Sequence, residues 1–210
     1  MRLLYFTFPQ RGHMEPSLGV VRELVDRGLQ VVCYATVIYR RQIEQAGGIF
    51  LSYPQEDIFQ NTELPANAPL RALPDQKAAE ECRKYLLTLN INKLLSDYLI
   101  SKVEKLNPDY ILYDLAGPWG KIVAEKLGIR HICSLLYPPF VMPPDISRSK
   151  MLKAHPLWHH IEYSIHSIEQ NASLIQEYVP YEVNEYMPHP LSSELNIFYT
   201  YESLQPCHDI

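Results

Sequence analysis

RLLYFTFPQRGHMEPSLGVVRELVDRGLQVVCYA, residues 2–35, decides the fold. Arg2–Phe8 is an aromatic and leucine-rich run of strand length, closed by the breaker cluster Pro9-Gln10-Arg11-Gly12. Leu18, Val21, Leu24 and Val25 then recur at helical spacing. Pro16 suits a first helical turn, Glu15 its positive end, and Gly28 a C-terminal cap. Gln30–Ala35 follows as a second strand, so the stretch reads strand, turn, helix, strand.

The alternation continues outward from it. Tyr39–Ala46 has a helical pattern stopped by Gly47-Gly48, and a third strand is expected at 49–52. Tyr53–Pro74 carries four prolines and no periodicity, a long loop of the kind that usually has a function. A long helix from Gln76 to about Lys105 follows, with Leu86, Leu89, Leu94 and Leu95 on its apolar side and Pro108 to end it. Strands are expected at 109–113 and 130–135, with a helix at Gly117–Leu127 capped by Gly128 between them. Tyr137–Pro144 is proline-rich, a helix is expected around Pro156–Tyr178, and residues 196–200 read as a last strand. Strands alternating with helices imply an α/β, Rossmann-like, doubly wound parallel sheet with the common strand order 3-2-1-4-5.

Composition narrows the function. The 210 residues are 47% hydrophobic, enough for one sizeable core, and no apolar run approaches the 18 residues of a membrane span. Met1-Arg2 leads straight into a strand, and Cys33, Cys82, Cys133 and Cys207 share no CxxC spacing. A cytoplasmic protein with buried free thiols is expected. The net charge of −5 divides unevenly: residues 1–153 carry +3, while 154–210 hold eight acids and no Lys or Arg. No cationic stripe offers itself to nucleic acid. The turn after the first strand has one glycine, Gly12, instead of GxGxxG, and no GxxxxGK occurs, which excludes the usual dinucleotide and P-loop sites.

In a doubly wound sheet, ligands lie at the carboxyl ends of the strands where strand order reverses. His13, in the turn after the first strand, and Asp114, ending the DYILY strand, both belong to that edge. A histidine whose ring is oriented by a carboxylate is a competent general base. A turn residue and an ordinary helix cap explain the same two positions equally well. His155, His159, Glu162 and His166 share one helical face that could ligate zinc, although Trp158, Tyr163 and Pro156 suit a packed segment better. Tyr34, Tyr53 and Tyr137 stand at strand ends, where tyrosines can line a pocket but more often fill interiors.

Several motifs in register carry a family resemblance. Gly12-His13-Met14-Glu15-Pro16-Ser17-Leu18, Val21–Gly28 and the strand VVCYAT resemble the opening of UDP-glycosyltransferases of the macrolide-glycosyltransferase type. Pro108–Asp114, Leu195–Thr200 and Leu204-Gln205-Pro206 follow in that family's order, whereas Glu15 replaces a residue that is usually neutral there. The resemblance implies the N-terminal, acceptor-binding domain of the two-domain GT-B architecture. In it, His13 would deprotonate an acceptor hydroxyl and Asp114 would support it, without metal.

It also implies a single Rossmann-like domain over 1–210, with βαβ units in 1–136, a proline-rich and helical acceptor-side segment in 137–195, and a last strand and linker start in 196–210. Residues expected to line an apolar acceptor site are Phe59, Leu64, Tyr137, Phe140, Met142 and Trp158. The family's donor-binding motif has no counterpart here. The co-substrate, a UDP-sugar, is therefore expected to be held by a further domain or partner chain, and this chain alone to be inactive. The alternative is a non-catalytic small-molecule-binding protein derived from such a transferase.

Overall fold

A computed structural model describes residues 1–54, 75–135, 163–164, 166–179, 182–183 and 195–198. Among the described residues there are six strands: β1 (Arg2–Phe6), β2 (Gln30–Ala35), β3 (Ile49–Ser52), β4 (Tyr110–Asp114), β5 (His131–Leu135) and β6 (Leu195–Phe198). Every pairing is parallel, and the order is β3-β2-β1-β4-β5-β6. The expected order 3-2-1-4-5 is observed, with β6 added beyond β5. Because β1 lies between β2 and β4, the direction of winding reverses at β1.

Helices cover both faces: α1 (Arg11–Asp26), α2 (Arg40–Gln45), α3 (Gln76–Leu106), α4 (Trp119–Leu127) and α5 (Ala172–Tyr178). Side chains alternate across a strand, so each strand feeds two cores. Leu3, Tyr5, Val31, Cys33 and Leu112 pack with Met14 and Val21 of α1 and Ile43 of α2. Leu4, Phe6, Val32, Tyr34, Ile111 and Tyr113 pack on the opposite face with Leu95, Leu99 and Val103 of α3 and Trp119 and Val123 of α4. A third cluster joins Cys82, Leu86 and Leu89 of α3 to Ile122 and Ile175. Cys33, Cys82 and Cys133 are buried and unpaired.

Four sequence expectations need correction. Helix α1 begins at Arg11, so Pro16 lies inside it and not in its first turn. Gln10 supplies the reason: its carbonyl accepts from both His13 N (3.0 Å) and Met14 N (2.9 Å), closing the first turn early. The backbone bond that Pro16 cannot donate is the cost, which burial of Met14, Ser17 and Val21 outweighs. Glu15, a turn later than expected, pairs with Arg11 at 2.6 Å on the surface. Leu94 is not on the apolar side of α3 but 53% exposed, because the buried stripe runs through Leu86, Leu89, Asn92, Leu95 and Leu99. The first strand stops at Phe6, two residues short of the expected Phe8. The glycine caps fall where the sequence placed them, Gly28 and Gly128 adopting positive φ after α1 and α4; Asp75, which the sequence reading did not single out, accepts from Lys77 N and Ala78 N through its side chain to start α3.

Of the loop expected over Tyr53–Pro74, residues 55–74 lie outside the described residues, as do the 137–144 segment, the start of the late helix and the tail beyond 198. Among the described residues no helix is long and apolar enough to cross a membrane.

Helix α4 approaches the sheet closely because Gly120 faces it. A Cβ there would lie 2.5 Å from Tyr113 Cβ and 3.0 Å from Phe6 Cδ2, both on fully buried side chains. Gly120→Ala is expected to destabilise the fold by about 1–3 kcal/mol through overpacking, in spite of alanine's better helix propensity. Gly19→Ala, on the open face of α1 with nothing within 4 Å, is expected to stabilise by up to ~1 kcal/mol. Equilibrium denaturation of both variants checks the contrast, and equal effects would contradict it.

Candidate functional site

The carboxyl edge of β1 and β4 brings together two side chains 101 residues apart in sequence. His13 is the third residue of α1, in the turn that leaves β1, and Asp114 is the last residue of β4. The His13 Nδ1 lies 3.0 Å from Asp114 Oδ1 and 2.9 Å from Oδ2. Ala116 N–H donates to the same Oδ1 at 2.8 Å. The carboxylate is 1% exposed and the imidazole 17%.

These distances fix the chemistry available. An ionised carboxylate only accepts, so Nδ1 carries a proton, and in the neutral ring Nε2 then holds the lone pair. The site therefore presents a base nitrogen whose ring cannot easily turn. Burial pushes the Asp114 carboxyl above the usual carboxylate range, and the Ala116 N–H and His13 only partly offset it.

An aromatic layer lies beneath. Phe8 is 5.0 Å from His13 and 6.1 Å from Trp119, ring centroid to centroid. Trp119 meets Tyr53 edge-on at 5.9 Å, and its Nε1 donates to the Tyr53 hydroxyl at 3.2 Å, which in turn donates to Thr7 O at 2.8 Å. Tyr34 stacks on Phe6 at 5.3 Å. Tyr34 and Tyr53 are thus buried core residues, the commoner of the two roles the sequence left open for them, because the alternation turns both rings into the face covered by α3 and α4.

A cavity of about 350 Å³ opens beside the dyad. Phe8, Pro9 and Gln10 line it from the β1–α1 turn, Thr88, Ile91 and Asn92 from α3, and Ala116 and Trp119 from the chain after β4. Aromatic and aliphatic walls with a few polar groups are what a small-molecule site needs. Sequence reasoning missed these residues. One signal was present: Asn92 and Ser96 interrupt the leucine stripe of α3 as fully buried polar residues. The six expected acceptor residues, Phe59, Leu64, Tyr137, Phe140, Met142 and Trp158, all lie outside the described residues, as do His155, His159 and Glu162; His166 is exposed. Among the described residues no group of three or more His, Cys, Asp or Glu is placed to hold a metal.

No protein-family model matches the chain. The NDP-glycosyltransferase YjiC of Bacillus licheniformis is 30% identical over 140 residues, covering 61% of this chain and 31% of that protein. Mogroside I-E synthase of Siraitia grosvenorii is 27% identical over 130 residues, covering 60% of this chain and 26% of that protein. Among solved structures, the glycotransferase of kitacinnamycin superposes with a TM-score of 0.60 at 21% identity, covering 99% of this chain and 48% of that one. CalG4, the calicheamicin glycosyltransferase, does so with 0.59 at 21% identity, covering 98% and 49%. The curated relatives include NDP- and UDP-glycosyltransferases, and the fold is that of the N-terminal half of GT-B glycosyltransferases. The chain spans about half the length of those structures, and its match takes in less than a third of these curated relatives.

The buried carboxyl makes a testable contribution to stability. With the folded pKa raised above the unfolded value near 3.8, the stability Asp114 contributes is full below about pH 4 and is lost as pH rises through the folded value. Asp114→Asn abolishes this titration. Denaturation at a series of pH values is expected to show the variant gaining on the wild type as pH rises through that window. A stability difference independent of pH would contradict the assignment.

Proposed function

We propose that this chain is the acceptor-binding half of an inverting glycosyltransferase that moves a sugar from a nucleotide sugar, a UDP-sugar by the resemblance, to a hydroxyl of a small hydrophobic compound. The observation that supports it most is the contact of His13 Nδ1 with both oxygens of the buried Asp114, beside a cavity walled by Phe8, Ile91 and Trp119. The relationship to NDP- and UDP-glycosyltransferases supplies the reaction class.

The reaction follows from those groups. An acceptor held in the cavity offers its hydroxyl to Nε2. As the hydroxyl oxygen attacks the anomeric carbon, the proton passes to Nε2, the new C–O bond forms, and the bond to the diphosphate breaks with its electron pair leaving on the nucleotide. A single displacement of this kind inverts the anomeric centre. Asp114 holds the ring in the Nδ1–H tautomer and stabilises the imidazolium that results. The donor is held by a nucleotide-sugar-binding domain, in the same polypeptide or in a partner chain, and without it no transfer takes place. The unpaired thiols Cys33, Cys82 and Cys133 are compatible with a reducing, cytoplasmic setting.

The test is complementation. The chain, fused to or mixed with the donor-binding half of a related glycosyltransferase, is expected to glycosylate a hydrophobic phenol or alcohol. His13→Ala should lower that rate by about 10²–10⁴-fold, the usual contribution of a general base. A fully active His13→Ala protein removes the base assignment. Saturable acceptor binding with no transfer by the complemented wild type favours a binding protein instead.

A further inference from the structure

Three hydroxyls behind the dyad connect α1, which carries His13, to β1 and to β5, the strand that pairs with β4 beside Asp114. Tyr5 stands in the middle of β1 and is fully buried; its hydroxyl is 2.7 Å from Ser17 Oγ on α1 and 3.0 Å from Ser134 Oγ on β5. Ser17 Oγ donates to the carbonyl of His13, one turn back, at 2.7 Å. Ser134 is the register partner of Asp114 in the sheet, and its carbonyl accepts from Leu115 N at 3.0 Å.

The direction of the chain is forced. A carbonyl has no proton to give, so the single Ser17 proton goes to His13 O, and Ser17 Oγ must accept from Tyr5. The Tyr5 proton is then committed, and its oxygen accepts from Ser134. The result runs in one sense from the strand beside Asp114 to the backbone of His13, through a region where Tyr5, Ser17 and Ser134 have almost no contact with solvent.

The geometry points to Tyr5 as a positioning residue: its hydroxyl, tied to both serines, sets the height of the first turns of α1 on the sheet and so keeps His13 Nδ1 against both oxygens of Asp114. This role in catalysis rests on the transfer reaction proposed above, but the positioning itself does not. Pro16 makes such a tie useful. It removes one backbone bond from α1 within a turn of His13, and the Ser17 bond to His13 O reinforces the same stretch.

Tyr5→Phe keeps the buried ring and deletes only the link. Two readouts test it. In crystal structures of Tyr5→Phe and Ser17→Ala, the separation of His13 Nδ1 from the Asp114 carboxylate is expected to exceed hydrogen-bonding distance, with the strands in place. In the complemented transfer assay, Tyr5→Phe should lower kcat by roughly tenfold while the acceptor KM stays within about twofold, because misalignment weakens the transition state more than ground-state binding. Tyr5→Phe combined with Ser17→Ala should be no worse than either alone, since both break one unit.

A dyad that keeps its 2.9–3.0 Å contacts in both variants overturns the proposal, as does a loss of folding stability with kcat unchanged when His13→Ala itself is impaired. If the contacts open in both variants while His13→Ala proves fully active, the positioning role stands and the proposed reaction alone falls. Ser17→Ala, a smaller change on α1, keeps the structural test available if Tyr5→Phe folds poorly.

Discussion

A carboxylate removed from water is an expensive group, and in this fold it has been placed where only a few donors reach it. Asp114 receives an N–H from Ala116, two residues on, and the Nδ1–H of His13 from another element. Neither fully offsets the burial that raises its pKa. What the arrangement gains is orientation: an imidazole held by two oxygens of one carboxylate keeps its tautomer, and its second nitrogen keeps a lone pair for chemistry. Stability and function therefore pull against each other at position 114, the pattern expected of a working site more than of a structural ion pair.

Everything that places the two groups is a property of the parallel sheet. β1 and β4 are neighbours because winding starts at β1 and reverses across it, so the turn after one and the end of the other open on one crevice. The register Phe6 to Tyr113 puts Asp114 a residue beyond the last β1 partner, level with the turn that enters α1. Gly120 lets α4 sit against Tyr113 and Phe6, which carries Trp119 under Phe8 and closes the floor of the cavity. The Tyr5 hydroxyl works from the other face, through the core that α1 covers.

Much of this was legible in the sequence, for identifiable reasons. Parallel strands buried on both faces are nearly continuous apolar runs, so VVCYA and YILY stand out against their helices. Gly28 and Gly128 punctuate helices by backbone geometry that few residues supply, and they were read correctly. His13 and Asp114 were found because the topology names the edge where ligands bind. Pro16 misled because a proline is more common in a first turn than inside a helix, and nothing local announces that Gln10 closes the turn early. Leu94 misled because three leucines on one stripe make a fourth beside them look equivalent, while the angular position of 94 points it outward. The cavity residues Thr88, Ile91 and Asn92 were hidden for a different reason: they come from a helix far from the dyad in sequence, and only tertiary packing brings α3 to the crevice.

The central claim is that buried Asp114 holds His13 as an Nδ1–H imidazole with Nε2 free to take a proton. Long-range ¹H–¹⁵N correlation NMR on ring-labelled protein, at a pH where His13 is neutral, reads the tautomer directly. The account predicts a protonated Nδ1 and an unprotonated Nε2, with the Nδ1–H signal lost in Asp114→Ala. A His13 ring protonated on Nε2, or an Nδ1–H signal unchanged by loss of the carboxylate, would contradict it.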